Sequence, residues 1–123
     1  VFGGYKIQGR GDAAAEKLLT DAKAVVEAGA ALLVLECVPA ELAKAVTEAV
    51  AVPVIGIGAG AATDGQVLVM HDMLGMVHGR VPRFVHDFLT DERNSARSIE
   101  GAFALYQQSV RDGSFPTEQH QFS

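Results

Sequence analysis

A single cysteine, Cys37, stands among 123 residues. No internal disulfide can form, which suits a reducing cytoplasm. Lys/Arg clusters are absent and the formal net charge is −5, so a nucleic-acid partner, which leaves a basic footprint, is not expected. No stretch approaches the ~18 consecutive apolar residues of a membrane span, so no membrane partner is expected either. There is also no initiating methionine and no charged-then-apolar leader. The chain opens on Val1-Phe2-Gly3-Gly4-Tyr5 as if in mid-sequence, and the expectation is a part of a longer protein. What is present, 49% hydrophobic residues, is the composition of an ordered globular chain whose length suits one domain over residues 1–123.

The most informative stretch is Ala31-Leu32-Leu33-Val34-Leu35-Glu36-Cys37-Val38-Pro39. A continuous aliphatic run of this length reads as a strand buried on both faces of a parallel sheet. It ends on a carboxylate, which is costly to bury without a reason. In barrels and open α/β sheets the C-terminal end of a strand is where ligands and catalytic groups sit.

Around this run, residues 1–11 carry four glycines and read as a loop. Asp12 is expected to cap a helix over 12–28. Its apolar stripe is Leu18, Ala22, Val25, Val26 and Gly29, with Gly29 as the stop. The strand over 32–36 follows, then a helix over 39–50 opened by Pro39, with Leu42, Ala45, Val46 and Ala49 inward. A second buried strand is read over 52–57 and a third over 66–70, ending in His71-Asp72. Pro82 opens a short helical piece with Phe84, Val85, Phe88 and Leu89 inward. A polar break over 91–95 leads to a last helix over 96–112 with Ile99, Phe103, Tyr106 and Val110 on one face, stopped by Gly113 and Pro116. The tail over 117–123 reads as loosely held. The alternation is that of a parallel sheet with helices on both sides. Three strands close no barrel, but half of an eight-fold barrel fits this length.

Glu36 is the first candidate for chemistry. Leu32, Val34 and Glu36 share one strand face, and Leu33, Leu35 and Cys37 the other. Facing a barrel mouth with an apolar surround, Glu36 is placed to act as general base for a carbon acid. The competing reading is a carboxylate that caps the helix beginning at Pro39, and the pattern leaves both open. Cys37 points away from Glu36 with no histidine nearby to activate it, so it reads as a small buried residue. Gly56-Ile57-Gly58-Ala59-Gly60-Ala61 imitates the dinucleotide fingerprint, but Thr63-Asp64-Gly65 interrupts the helix that fingerprint needs. Glycines letting a loop fold close over a barrel mouth fit better. His71 and Asp72, adjacent at a strand end, point oppositely and cannot easily share a metal, so a structural role is expected. His78, His86 and His120 show no ligand spacing. Asp12, Asp64 and Asp72 are too scattered to propose a metal site.

Taken together, Gly3-Gly4-Tyr5-Lys6-Ile7-Gln8-Gly9-Arg10, Leu35-Glu36-Cys37-Val38-Pro39, Ile55-Gly56-Ile57-Gly58-Ala59-Gly60 with Asp64-Gly65-Gln66, and Val69-Met70-His71-Asp72 resemble the ketopantoate hydroxymethyltransferase family. The match is collinear from Val1 to about Phe122 and includes the closing Gly113-Ser114-Phe115-Pro116. The tail departs: Gln119-His120-Gln121-Phe122 stands where the family has Glu-His-Ser-Phe.

The resemblance implies a (β/α)8 TIM barrel of the phosphoenolpyruvate/pyruvate type, of which this is the second half. It implies a step of pantothenate biosynthesis, in which 5,10-methylenetetrahydrofolate gives a hydroxymethyl group to 3-methyl-2-oxobutanoate, yielding ketopantoate. It implies Glu36 as the proton acceptor, and a Mg2+ ion that chelates the keto acid and makes its neighbouring C–H more acidic. The metal-binding acids and the substrate-binding serine and lysine of the family map onto nothing in this chain. A homo-oligomer, the N-terminal half of the same enzyme as partner, and a cytoplasmic location complete the expectation. Two other readings stand beside it. One is a non-catalytic half-barrel module for structure or assembly; the other is nucleotide binding by the Gly56 to Ala61 loop.

Overall fold

Leu33 and Leu35 decide how the first strand lies. In the computed structural model, which describes residues 5–123, β1 (Leu33–Glu36) turns those two leucines inward and Val34 and Glu36 outward. This is the period of two of an extended chain. β2 (Val54–Ile57) runs parallel beside it, with Leu33 opposite Val54 and Glu36 opposite Ile57. β3 (Gly65–Gln66) adds a third parallel strand, giving the order β1-β2-β3. The α/β class and the parallel sheet are those the alternation predicts.

One face of this sheet is covered. Helices α1 (Asp12–Glu27) and α2 (Ala40–Ala49) lay Ala22, Ala43 and Val46 against Leu33, Leu35 and Val54. Burying each larger aliphatic side chain contributes roughly 1.5–3 kcal/mol. The expectation of helices on both sides, with strands buried on both faces, is corrected here. Leu32 and Val34 are 49% and 57% exposed, and no described residue covers that face. A continuous aliphatic run shows that both faces are apolar, but not that both partners lie in one chain.

The first loop and helix starts are set locally. Asp12 is the first residue of α1, not its cap: Gly11 holds the cap position and no side chain bonds the first turn. The Asp12 carboxylate instead complements the positive end of the helix dipole. The inward stripes are also rotated from those read off the sequence. Val25, Ala45 and Ala49 are exposed, while Leu19 and Ala43 pack inward.

The chain after β2 differs most from expectation. Val67 donates its N–H to Gly56 O at 3.0 Å, and then the third strand leaves the sheet. Met70–Met73 forms the one-turn helix α3, because a short apolar run is ambiguous between strand and helix. The helical piece after Pro82 is absent. Asp87 Oδ1 accepts the amides of Leu89 and Thr90 at 2.9 and 3.2 Å, a side-chain turn that competes with helix formation. Phe84 and Phe88 are buried all the same. α4 (Ile99–Asp112) starts three residues late because Ser98 caps it, its hydroxyl accepting from Gly101 N at 2.9 Å. Its inward face is Ala102 and Ser109, with Tyr106 and Val110 partly buried. Ile99 and Phe103 turn outward, 59% and 42% exposed. Gly113 ends the helix at φ 79° in the left-handed region, as expected. The tail is docked, not loose: a 3-10 turn spans Glu118–His120, and Phe122 O accepts from Ala40 N at 2.9 Å.

A second core joins Met73, Leu74, Phe88, Ala102 and Phe115. At its border Asp91, with a side chain 10% exposed, accepts from His86 Nε2 at 2.7 Å and Arg93 Nη2 at 2.8 Å. The hydrogen-bonded Arg93 guanidinium, helped by His86, holds the Asp91 carboxyl well below the usual carboxylate range, against the effect of burial. A depressed folded-state pKa means the stabilisation is present above the unfolded value near 3.9 and is lost as the pH falls through the folded value. Asp91→Asn is expected to cost about 1–3 kcal/mol at pH 7. The deficit should shrink as thermal melts are taken from pH 5 toward pH 2. A deficit independent of pH would show that the charge is not what matters.

Candidate active site at the strand ends

Glu36 closes β1, opposite Ile57, and it is exposed. It lies on the uncovered face with Leu32 and Val34, beside the half-buried Ile55 and Ile57 of β2. An apolar strip thus leads up to one carboxylate at the C-terminal end of a parallel sheet. Among the described residues the capping alternative finds no support: α2 begins after Pro39 with no side-chain cap. Nor does Glu36 enter any ion pair among the described residues. Its carboxylate is committed to nothing within this part of the fold.

Cys37, one residue on, is buried and adopts φ 53°. A left-handed backbone costs a non-glycine residue roughly 1–2 kcal/mol. Two hydrogen bonds hold it there: Cys37 N donates to Ile57 O at 2.9 Å, and Cys37 O accepts from Gln8 N at 2.8 Å. The kink turns the chain off the sheet directly after Glu36, leaving Glu36 exposed and Cys37 buried. The two are separated as expected, but by the left-handed turn and not by strand alternation. Burial, and then the neighbouring Glu36 charge, push the thiol pKa up. Burial and the raised thiol pKa fit Cys37 as a small packing residue.

No helix opens on the glycine loop after β2, the next being α3, so the loop lacks the strand–loop–helix geometry of the dinucleotide fingerprint. Its glycines are there for close approach. At Gly58, φ +63°, an added Cβ would lie 2.8 Å from the Phe84 ring. At Gly60, φ +78°, it would lie 2.7 Å from Ala40 Cβ. Gln66 Nε2 donates to Gly60 O at 2.9 Å and to Thr63 Oγ1 at 3.0 Å, and Asp64 Oδ2 accepts from Val54 N at 2.8 Å. The loop is thus folded down over the strand ends, as expected.

His71 and Asp72 do not end a strand. Both lie in the single turn of α3, where neighbours stand about 100° apart and still cannot converge on one ion. Among the described residues no three His, Cys, Asp or Glu side chains are grouped as a metal would require. Asp12, Asp64 and Asp72 stay scattered. The described residues therefore do not fit a magnesium site.

Two features escape sequence reading. His86 and His120, far apart in the chain, meet with ring centroids 6.0 Å apart, and burial followed by the His86 charge pushes His120 down. The second is a cleft of about 570 Å³ among residues 5–10, 80–84 and 122–123. It too lies at the strand ends, because Gln8 bonds Cys37 and Phe84 packs on Gly58. Arg10 lies at least seventy residues before Arg80 and Arg83, and no spacing signal could have joined the two segments.

The sequence profile of the ketopantoate hydroxymethyltransferase family matches residues 1–118. A 3-methyl-2-oxobutanoate hydroxymethyltransferase from Psychrobacter cryohalolentis is 88% identical over 123 residues, all of this chain and 46% of that protein. The enzyme of the same name from Psychrobacter sp. (strain PRwf-1) is 71% identical, with all of this chain and 47% of that protein covered. One from Yersinia enterocolitica is 58% identical over 99% of this chain and 45% of its own length. The chain spans about half the length of these curated relatives. Motifs, parallel sheet and profile agree, and the chain belongs to the ketopantoate hydroxymethyltransferase family.

Proposed function

We propose that this chain is the part of a hydroxymethyltransferase that carries the proton acceptor, Glu36. The observation that supports this is the position of its carboxylate: uncapped, in no described ion pair, and at the C-terminal end of a parallel strand on the face left uncovered. In the proposed reaction Glu36 takes the C3 proton of 3-methyl-2-oxobutanoate. The electron pair of that C–H bond then forms the new C–C bond to the one-carbon unit of 5,10-methylenetetrahydrofolate. Water takes the place of the two folate nitrogens on that carbon: its oxygen becomes the hydroxyl oxygen, and its two protons go to the nitrogens as both C–N bonds break. The alkoxide left by C–C bond formation takes back the proton held by Glu36, and ketopantoate and tetrahydrofolate leave. The proton has to be taken in a setting from which water is kept out, since water would otherwise solvate the base. Leu32, Val34, Ile55 and Ile57 provide the apolar floor of that setting.

The remaining wall belongs to residues outside this chain. The exposed face of β1 supports a sheet that is completed into a (β/α)8 barrel by an upstream half. The homo-oligomer and the cytoplasmic location are proposed with it from the family resemblance alone. A magnesium ion for the keto acid, which the family resemblance implies, would need ligands from that half, because the described residues do not provide the set. No step above is routed through it. The test is reconstitution. This chain alone should show no hydroxymethyl transfer, and mixing it with the upstream half should restore transfer. Full transfer by the isolated chain, or none by the reconstituted pair, would overturn the reading.

A further inference from the structure

The cleft at the strand ends gathers three of the six arginines of a chain whose net charge is −5. Arg10, Arg80 and Arg83 line it, and none of its lining side chains is acidic. Among the described residues Arg10 and Arg83 make only long hydrogen bonds to main-chain oxygens of the tail, to Ser123 O at 3.3 Å and Gln121 O at 3.4 Å. None of the three forms an ion pair among the described residues. Three like charges around one concavity repel one another until an anion enters. Guanidinium groups present the paired N–H donors that match a carboxylate.

The rest of the lining is aromatic. Tyr5 stands edge-on to Phe84 with centroids 5.6 Å apart, and Phe84 stands edge-on to Phe122 at 6.4 Å. Rings so arranged offer faces and edges to a planar guest. A volume of about 570 Å³ is that of a site for a whole small ligand, and a five-carbon keto acid would leave most of it empty. Its place beside the Gly58 loop puts it at the same end of the sheet as Glu36.

We infer that this cleft binds a planar, multiply carboxylated ligand, its ring against Tyr5, Phe84 and Phe122 and its carboxylates on Arg10, Arg80 and Arg83. Resting on the function proposed above, that ligand is the folate donor and not the keto acid. The folate carries both the planar ring and a glutamate bearing two carboxylates.

The experiment is a calorimetric titration of the full-length enzyme with tetrahydrofolate, paired with steady-state assays. Arg80→Gln and Arg83→Gln should each raise the Kd for tetrahydrofolate about tenfold, as loss of one charge-assisted contact of about 1.4 kcal/mol would. The KM for 3-methyl-2-oxobutanoate should stay within about twofold. Arg83→Lys should recover part of the loss, since it keeps the charge but not the fork. All three arginines are exposed, so thermal melts should be unchanged. If Arg83→Gln does not fold, Arg80→Gln, which breaks no hydrogen bond among the described residues, decides. An unchanged tetrahydrofolate Kd, or a loss confined to the keto acid, overturns the assignment while transfer by the wild type stands. Arginine-dependent folate binding in an enzyme that transfers nothing would uphold the cleft and sink the proposed reaction.

Discussion

Glu36→Gln in the full-length enzyme is expected to lower exchange of the C3 proton of 3-methyl-2-oxobutanoate with solvent by about 10²–10⁴-fold, the contribution of one positioned general base. The keto acid should still bind, with its Kd nearly unchanged, because glutamine keeps the size of the side chain and removes only the basic oxygen. Exchange in deuterium oxide, followed by proton NMR without any folate, isolates this step from carbon–carbon bond formation. The fold should not notice the change. Glu36 is exposed and α2 has no side-chain cap for it to lose, so stability should move by no more than about 0.5 kcal/mol. Exchange at the wild-type rate would remove Glu36 from the role of base. A large drop in melting temperature would instead revive its reading as a structural carboxylate.

Phe88→Ala should have the largest effect on stability, a loss of about 3–5 kcal/mol. Domains of this kind have only about 5–15 kcal/mol in total. Phe88 is fully buried, with ring centroids 4.7 Å from His86 and 5.3 Å from both Tyr106 and Phe115. Its amide donates to Met73 O at 2.8 Å. It therefore anchors the irregular segment that also carries Arg80, Arg83 and Phe84 to the strand ends. The matched control is Phe103→Ala, at a position the helical pattern would place in the core but which is 42% exposed. Urea unfolding should separate the two by several-fold in stability loss. Equal losses would show that the second core is not organised around Phe88.

Some of this was legible in residue order alone. Alternation assigned Leu35 and Glu36 to opposite faces without any coordinates, because the side-chain period of a strand is two whatever surrounds it. The glycines at 58 and 60 announced close approach, and Gly113 announced the end of a helix, because few residues other than glycine take a positive φ at low cost. The motif order placed the chain in its family. Other features were not local. Helical stripes came out rotated, since an aliphatic residue is suited to the core but does not say which neighbour will cover it. That left Val25, Ile99 and Phe103 outside. The third strand formed but ended at Gln66 for lack of further sheet pairing, and the piece after Pro82 stayed non-helical because hydrogen bonds to Asp87 outweighed weak propensities.

The sequence by itself determined the α/β class, the carboxylate at the end of the first strand, and the family. Each of these rests on near neighbours in the chain or on motif order, which folding does not alter. Only the tertiary structure decided that, among the described residues, one sheet face is uncovered and Glu36 caps nothing, that the tail docks on α2, and that Arg10 shares a cleft with Arg80, Arg83 and three aromatic rings. Those are contacts between residues far apart in the chain, and their energies depend on distances that no spacing in the sequence encodes.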